Sequence, residues 1–118
     1  MKVLLVDDEE EMVTALAERL LLRDMEADWV TCGMDAVTRA SEDTYDVIVL
    51  DVKMPGMSGL ETMEKIQKIR PETKIIFLTG HGSVEDRAAG KKAGASFYLM
   101  KPVDIQVLID KMYEAVNV

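Results

Sequence analysis

Short apolar runs alternate with amphipathic stretches along the whole chain. The runs are Val3–Val6, Ala27–Thr31, Val47–Leu50, Ile75–Leu78 and Phe97–Met100. Four of them are continuous aliphatic or aromatic blocks, the pattern of strands buried on both faces of a parallel sheet. The second, Ala27-Asp28-Trp29-Val30-Thr31, is more polar and suits a sheet edge. The stretches between read as helices. Met12, Val13, Leu16, Ala17, Leu20 and Leu21 make one apolar stripe. Leu60, Met63, Ile66 and Ile69 make a second, and Ile105, Leu108, Ile109, Met112 and Val116 a third. Ser58 with Glu61, and Ser83 with Asp86, have the spacing of capping boxes. The helix after Ser83 is the weakest. Its stripe is thin, and Gly90 inside it costs about 1 kcal/mol relative to Ala. Ser83 to Ala93 is therefore expected to be the mobile element. Pro71 and Pro102 fall between elements, where proline belongs.

Five strands alternating with five helices predict an α/β fold, with a doubly wound, five-stranded parallel sheet and helices on two faces. The order expected for this class of sheet is 2-1-3-4-5, flavodoxin-like, which puts the polar second strand on an edge. The 118 residues are the size of one domain, expected to span 1–118.

Lys and Arg number 14 against 22 Asp and Glu, a net charge of −8. Such a surface repels phosphate backbones and anionic membranes, so neither nucleic acid nor membrane is an expected partner. Runs such as Val47-Ile48-Val49-Leu50 are far too short to span a bilayer. The start, Met1-Lys2-Val3-Leu4-Leu5-Val6 followed by five acids, lacks the length and cleavage site of a secretory leader. A cytoplasmic location is expected. The single cysteine, Cys32, allows no internal disulfide and reads as a small apolar filler.

In an all-parallel sheet the C-terminal strand ends share one edge, and ligands bind there, where strand order reverses. Asp7 and Asp8 follow the first run and Asp51 the third. Thr79 and Gly80 follow the fourth, and Lys101 and Pro102 the fifth. Three carboxylates, a hydroxyl and an ammonium thus converge. Crowded carboxylates without His or Cys select a hard cation such as Mg²⁺. With Lys and Thr they form a set suited to phosphoryl transfer, a carboxylate being able to act as covalent acceptor. No glycine-rich phosphate loop follows the first strand, where Asp7, Asp8, Glu9, Glu10 and Glu11 stand. The phosphoryl group must therefore arrive on a small molecule or a partner protein.

In Asp7-Asp8, in Val49-Leu50-Asp51-Val52-Lys53-Met54-Pro55-Gly56, in Leu78-Thr79-Gly80-His81-Gly82, in Ala93-Gly94-Ala95 and in Lys101-Pro102, the chain resembles the receiver domain of two-component response regulators, over nearly its full length. The resemblance implies a phosphorylation-activated switch in a phosphorelay, not a metabolic enzyme. Asp51 would accept a phosphoryl group from a sensor histidine kinase or phosphotransfer protein, with small acyl phosphates as alternative donors. Asp8, Asp51 and the backbone carbonyl of Lys53 would bind Mg²⁺, with Asp7 acting mainly through a water. Lys101 and Thr79 would hold phosphoryl oxygens, and Tyr98 would be the switch aromatic. The Lys101-Pro102 peptide would be cis. Phosphorylation would bias the face of the fourth helix, fifth strand and fifth helix toward a partner or a second copy. The chain is expected to be either a complete single-domain regulator or a receiver with an effector domain past Val118. Lys53 and His81 would stand at the mouth of the site and tune the lifetime of the phosphorylated state.

Plainer readings weigh against some of these residues. Glu9, Glu10 and Glu11 read as solvated charges favouring a helix N-terminus. A strand aromatic such as Tyr98 is more often packing than switch, but its position three residues before Lys101 favours the switch role. A rival class, a Mg²⁺-dependent phosphatase with a covalent aspartate, needs a second Asp two residues after the nucleophile, where this chain has Lys53. A flavodoxin-like cofactor binder needs the phosphate loop that is missing.

Overall fold

Strands and helices alternate without exception in the computed structural model, which describes residues 1–80 and 82–117. They are β1 (Lys2–Val6), α1 (Glu10–Leu21), β2 (Glu26–Val30), α2 (Gly33–Glu42), β3 (Val47–Leu50), α3 (Gly59–Ile69), β4 (Lys74–Thr79), α4 (Val84–Ala93), β5 (Phe97–Met100) and α5 (Ile105–Val116). The strands form one parallel sheet in the order β2-β1-β3-β4-β5, the order expected for this class of sheet. Strand ends follow pairing rather than hydropathy. β2 runs from Glu26 to Val30, one residue earlier at each end than the apolar run, because it registers Lys2↔Glu26 through Val6↔Val30 against β1.

Side-chain alternation along the strands divides the core into two layers. Val3, Leu5, Val49 and Leu78 face one way and pack with Val13 and Leu20 of α1 and Leu108 and Met112 of α5. Leu4, Val6, Ile48, Leu50 and Phe77 face the other way and pack with Ala36 of α2 and Met63 and Ile66 of α3. The three interior strands, β1, β3 and β4, are buried on both faces, which is why their sequences are unbroken apolar blocks.

The start of α4 carries the full reciprocal capping box of Ser83 and Asp86. At α3 only half of the expected box forms. Ser58 accepts the Glu61 N–H at 3.2 Å, but the Glu61 carboxylate takes the Ser58 hydroxyl at 3.4 Å in place of the backbone N–H. In α4 Gly90 is the one buried residue. A Cβ there would stand 3.1 Å from Phe77 Cε2, so this glycine, costly to an isolated helix, lets α4 lie close to the sheet. Among the described residues, no helix is long and apolar enough to cross a membrane.

Candidate functional site

Each of the key residues continues the hydrogen-bond ladder just past, or at, a strand end. The Asp7 N–H donates to the Val30 carbonyl at 3.3 Å, the Asp51 N–H to the Val6 carbonyl at 3.0 Å, and the Lys101 N–H to the Thr79 carbonyl at 2.9 Å. β1 has β2 on one side and β3 on the other. The reversal of strand order therefore opens a crevice at Asp7 and Asp51.

Burial and proximity set the electrostatics there. Asp7 and Asp51 are 4% and 2% exposed, and Asp8 is exposed. One carboxylate oxygen from each of the three lies within 4.8 Å of the other two. The Lys101 ammonium donates to Asp7 Oδ2 at 2.6 Å and Glu9 Oε1 at 3.3 Å, and lies 3.6 Å from Asp51 Oδ2. The other Asp7 oxygen accepts the Glu9 N–H at 2.9 Å. Asp51 Oδ1 is buried and has no hydrogen-bond partner among the described residues. The negative charge exceeds what one lysine neutralises. Burial pushes the Asp7 carboxyl up, against the pull of its Lys101 and Glu9 hydrogen bonds, and the Asp51 charge adds to the rise. Burial pulls the Lys101 ammonium down, but its hydrogen bond to Asp7 and the charges of Asp7 and Asp51 outweigh this and hold it above its ordinary value.

Thr79 closes β4 and is fully buried. The Lys101–Pro102 peptide is cis. Lys53 is exposed. Its charge helps to keep the Asp86 carboxyl low, after the larger effect of the Ser83 N–H, which relates it to the start of α4. His81, expected at the same mouth, lies outside the described residues.

Tyr98 is 6% exposed. Its ring centroid is 5.8 Å from that of Phe77, and the Arg87 guanidinium lies 5.6 Å from the ring. Its hydroxyl is buried without a hydrogen-bond partner among the described residues. The ring occupies the space that a side chain at Gly82 would need.

Two features of the site escaped the sequence. Glu9, expected to be a solvated charge, is the N-cap residue of α1 but makes no side-chain cap bond, and it reaches Lys101 instead. Gly59 donates its N–H to the Val52 carbonyl at 2.8 Å, and a Cβ there would collide with the Asp51 carbonyl oxygen. Only its place directly after the Ser58 cap hints at this. The loop that carries Asp51 and Lys53 is thus pinned against the start of α3.

The residues fit a divalent cation. Two buried carboxylates and an exposed third, with an orphaned oxygen among them, form a hard oxygen donor set that a single ammonium cannot satisfy. The cluster could hold a metal ion.

The comparisons with known proteins agree with this geometry. The family pattern "Response regulator receiver domain" matches residues 3–113. The transcriptional regulatory protein TcrA of Mycobacterium tuberculosis is 36% identical over 111 residues, 94% of this chain and 44% of that protein. The transcriptional activator protein IrlR of Burkholderia pseudomallei is 34% identical over 112 residues, 95% of this chain and 48% of that protein. The chain thus spans about half the length, or less, of these relatives. A CheY-like receiver domain from Methanospirillum hungatei superposes with a TM-score of 0.94 at 29% identity, covering 98% of this chain and 93% of that one. A Burkholderia pseudomallei response regulator, solved with a phosphorylated aspartic acid, a calcium ion and citrate, gives 0.89 at 25% identity over 94% of this chain and 65% of that one. With the acids, the threonine and the lysine gathered where strand order reverses, and this match along nearly its whole length, the chain belongs to the receiver domains of response regulators.

Proposed function

We propose that Asp51 accepts a phosphoryl group in a two-component phosphorelay, with Mg²⁺ as cofactor. The observation that carries this is the buried Asp51 carboxylate, with one oxygen unpartnered and the other 3.6 Å from the Lys101 ammonium. The related structure with a phosphorylated aspartic acid and a calcium ion supports both the acceptor and the divalent cation.

In this reading an Asp51 oxygen attacks phosphorus. A P–O bond forms as the N–P bond of a donor phosphohistidine breaks, and the released imidazole takes up a proton. With an acyl phosphate the leaving group is the carboxylate. Lys101 holds one phosphoryl oxygen by charge, and the Thr79 hydroxyl donates to another. Asp8, Asp51 and the Lys53 carbonyl would hold the ion, with Asp7 acting mainly through a water. When bound, Mg²⁺ neutralises the clustered carboxylates and the phosphoryl oxygens. Gly59 keeps the Asp51 loop in register for all of these contacts.

The whole of 1–118 works as one receiver unit in the cytoplasm, its donor a sensor histidine kinase or phosphotransfer protein. The chain promotes its own phosphorylation and dephosphorylation and turns over no other substrate. The output passes through Thr79 and Tyr98 to the face of α4, β5 and α5. Exposed Val84, Met100, Val107 and Tyr113 supply apolar surface there for a partner or a second copy. Relatives named as transcriptional regulators, and about twice this length, support an effector of that kind. With a charge of −8 the receiver itself makes no direct contact with nucleic acid.

Incubation with acetyl phosphate and Mg²⁺, followed by borohydride trapping, tests the reading. Label is expected on Asp51 alone and is lost in Asp51→Asn. Label elsewhere, or undiminished label in that variant, overturns it.

A further inference from the structure

We propose that Glu9 is a positioning residue that restrains phosphorylation of Asp51 by competing for the Lys101 ammonium. The inference rests on the acceptor role of Asp51. Lys101 has three carboxylates around it and donates to two, Asp7 at 2.6 Å and Glu9 at 3.3 Å, while Asp51 is more distant at 3.6 Å. The two closer contacts differ in kind. The Asp7 side chain is 6% exposed and the Glu9 side chain 59%. A buried pair is costly to separate, whereas an exposed one exchanges readily with water and ions. Asp7 is thus the permanent partner of Lys101 and Glu9 the exchangeable one.

The backbone supports this division. The Glu9 N–H donates to Asp7 Oδ1 at 2.9 Å, so the carboxylate that anchors Lys101 also places the main chain of its competitor. The Glu9 side chain makes no capping bond to α1, which leaves it available to bridge to Lys101. An incoming phosphoryl group needs the ammonium. Lys101 keeps Asp7 and exchanges Glu9 for a phosphoryl oxygen. Glu9 opposes this twice, by holding the ammonium and by adding negative charge where a dianionic donor must enter.

The test compares parent, Glu9→Gln and Glu9→Asp at saturating Mg²⁺, with initial phosphorylation by acetyl phosphate as one measurement. The second measurement is the NMR signal of the Lys101 ammonium in the metal-free protein. Glu9→Gln is expected to speed phosphorylation by about two- to fivefold, the range of one exposed ion pair, and to shift the Lys101 signal. Glu9→Asp keeps the charge but shortens the reach, so faster phosphorylation and a shifted signal there as well assign the effect to the contact. Parent-like behaviour in Glu9→Asp, or an unchanged or slower rate in Glu9→Gln, overturns the inference and leaves the acceptor role of Asp51 intact. Absence of label on Asp51 in the parent overturns both.

Discussion

Tyr98 fills the space in front of Gly82, so the loop after Thr79 and the strand before Lys101 meet through one aromatic ring and one missing side chain. A methyl group at Gly82 would collide with the Tyr98 hydroxyl and lie 2.9 Å from its Cε1, so the whole ring must move. Gly82→Ala is expected to push Tyr98 toward solvent and to cost about 1–3 kcal/mol of stability through lost burial. Aromatic NMR signals would report the displaced ring and denaturant melts the cost. A Tyr98 signal unchanged from the parent would show that the two residues are not coupled.

The Tyr98 hydroxyl is buried with no partner among the described residues, and burial, with the Asp86 charge second, pushes the phenol above its ordinary value of 10.0. A raised folded-state pKa means that the contribution to stability is present below pH 10 and is lost as pH rises through the higher folded value. Tyr98→Phe removes both the unpaired hydroxyl and this pH dependence. It is expected to gain about 1 kcal/mol at neutral pH, with a shallower loss of stability above pH 10. Urea melts from pH 7 upward check both; a variant less stable than the parent at neutral pH would contradict the expectation.

At Gly59 the close neighbour is backbone, which cannot swing aside. Its Cβ would meet the Asp51 carbonyl oxygen and lie 2.8 Å from the Val52 Cα. Gly59→Ala should destabilise the protein by at least about 2 kcal/mol. Because it displaces the Asp51 loop, Asp51 phosphorylation should also fall under conditions where the variant remains folded. Melting curves and acetyl phosphate labelling on one sample separate the two effects.

With Mg²⁺ bound as proposed, the acid cluster should make stability depend on the ion. Repulsion among Asp7, Asp8 and Asp51 is relieved by a bound cation, so Mg²⁺ at a hundredfold excess over its Kd should add about 2.7 kcal/mol. Asp8→Asn is expected to stabilise the metal-free protein by up to about 1 kcal/mol. The same change should remove most of the Mg²⁺-induced gain. Calorimetric titration together with thermal melts tests this, and an unaltered Mg²⁺ affinity in Asp8→Asn would exclude Asp8 from the ion site.

Helix α4 buries only Gly90, against three residues for α1. Its amides are expected to exchange with solvent at least about tenfold faster than those of Val13 to Leu20, as befits a sparsely packed element. Equal protection of the two helices would remove the basis for treating α4 as the mobile part of the proposed output face.

Periodicity by itself determined the strand and helix order. Burial on both faces of a parallel sheet demands unbroken apolar blocks such as Val47–Leu50, and a helix against that sheet demands a stripe such as Leu60, Met63 and Ile66. It also placed Asp7, Asp51, Thr79 and Lys101 on one edge, because parallel strands all end on the same side. What it could not determine were contacts between residues distant along the chain. The pairing of β2 with β1 set the strand's ends. The meeting of residues 9 and 101, and of 82 and 98, depends on how segments at the ends of different strands come together, and that of 59 and 51 on how the connection after β3 folds back on itself. Glu9 looks like its neighbours Glu10 and Glu11 in sequence, and only the crossing of the chain at the sheet edge brings Lys101 within its reach. Glycines at 59, 82 and 90 are equally silent in one dimension, since their reason is the atom that occupies the place of the missing side chain, and tertiary packing alone supplies that atom.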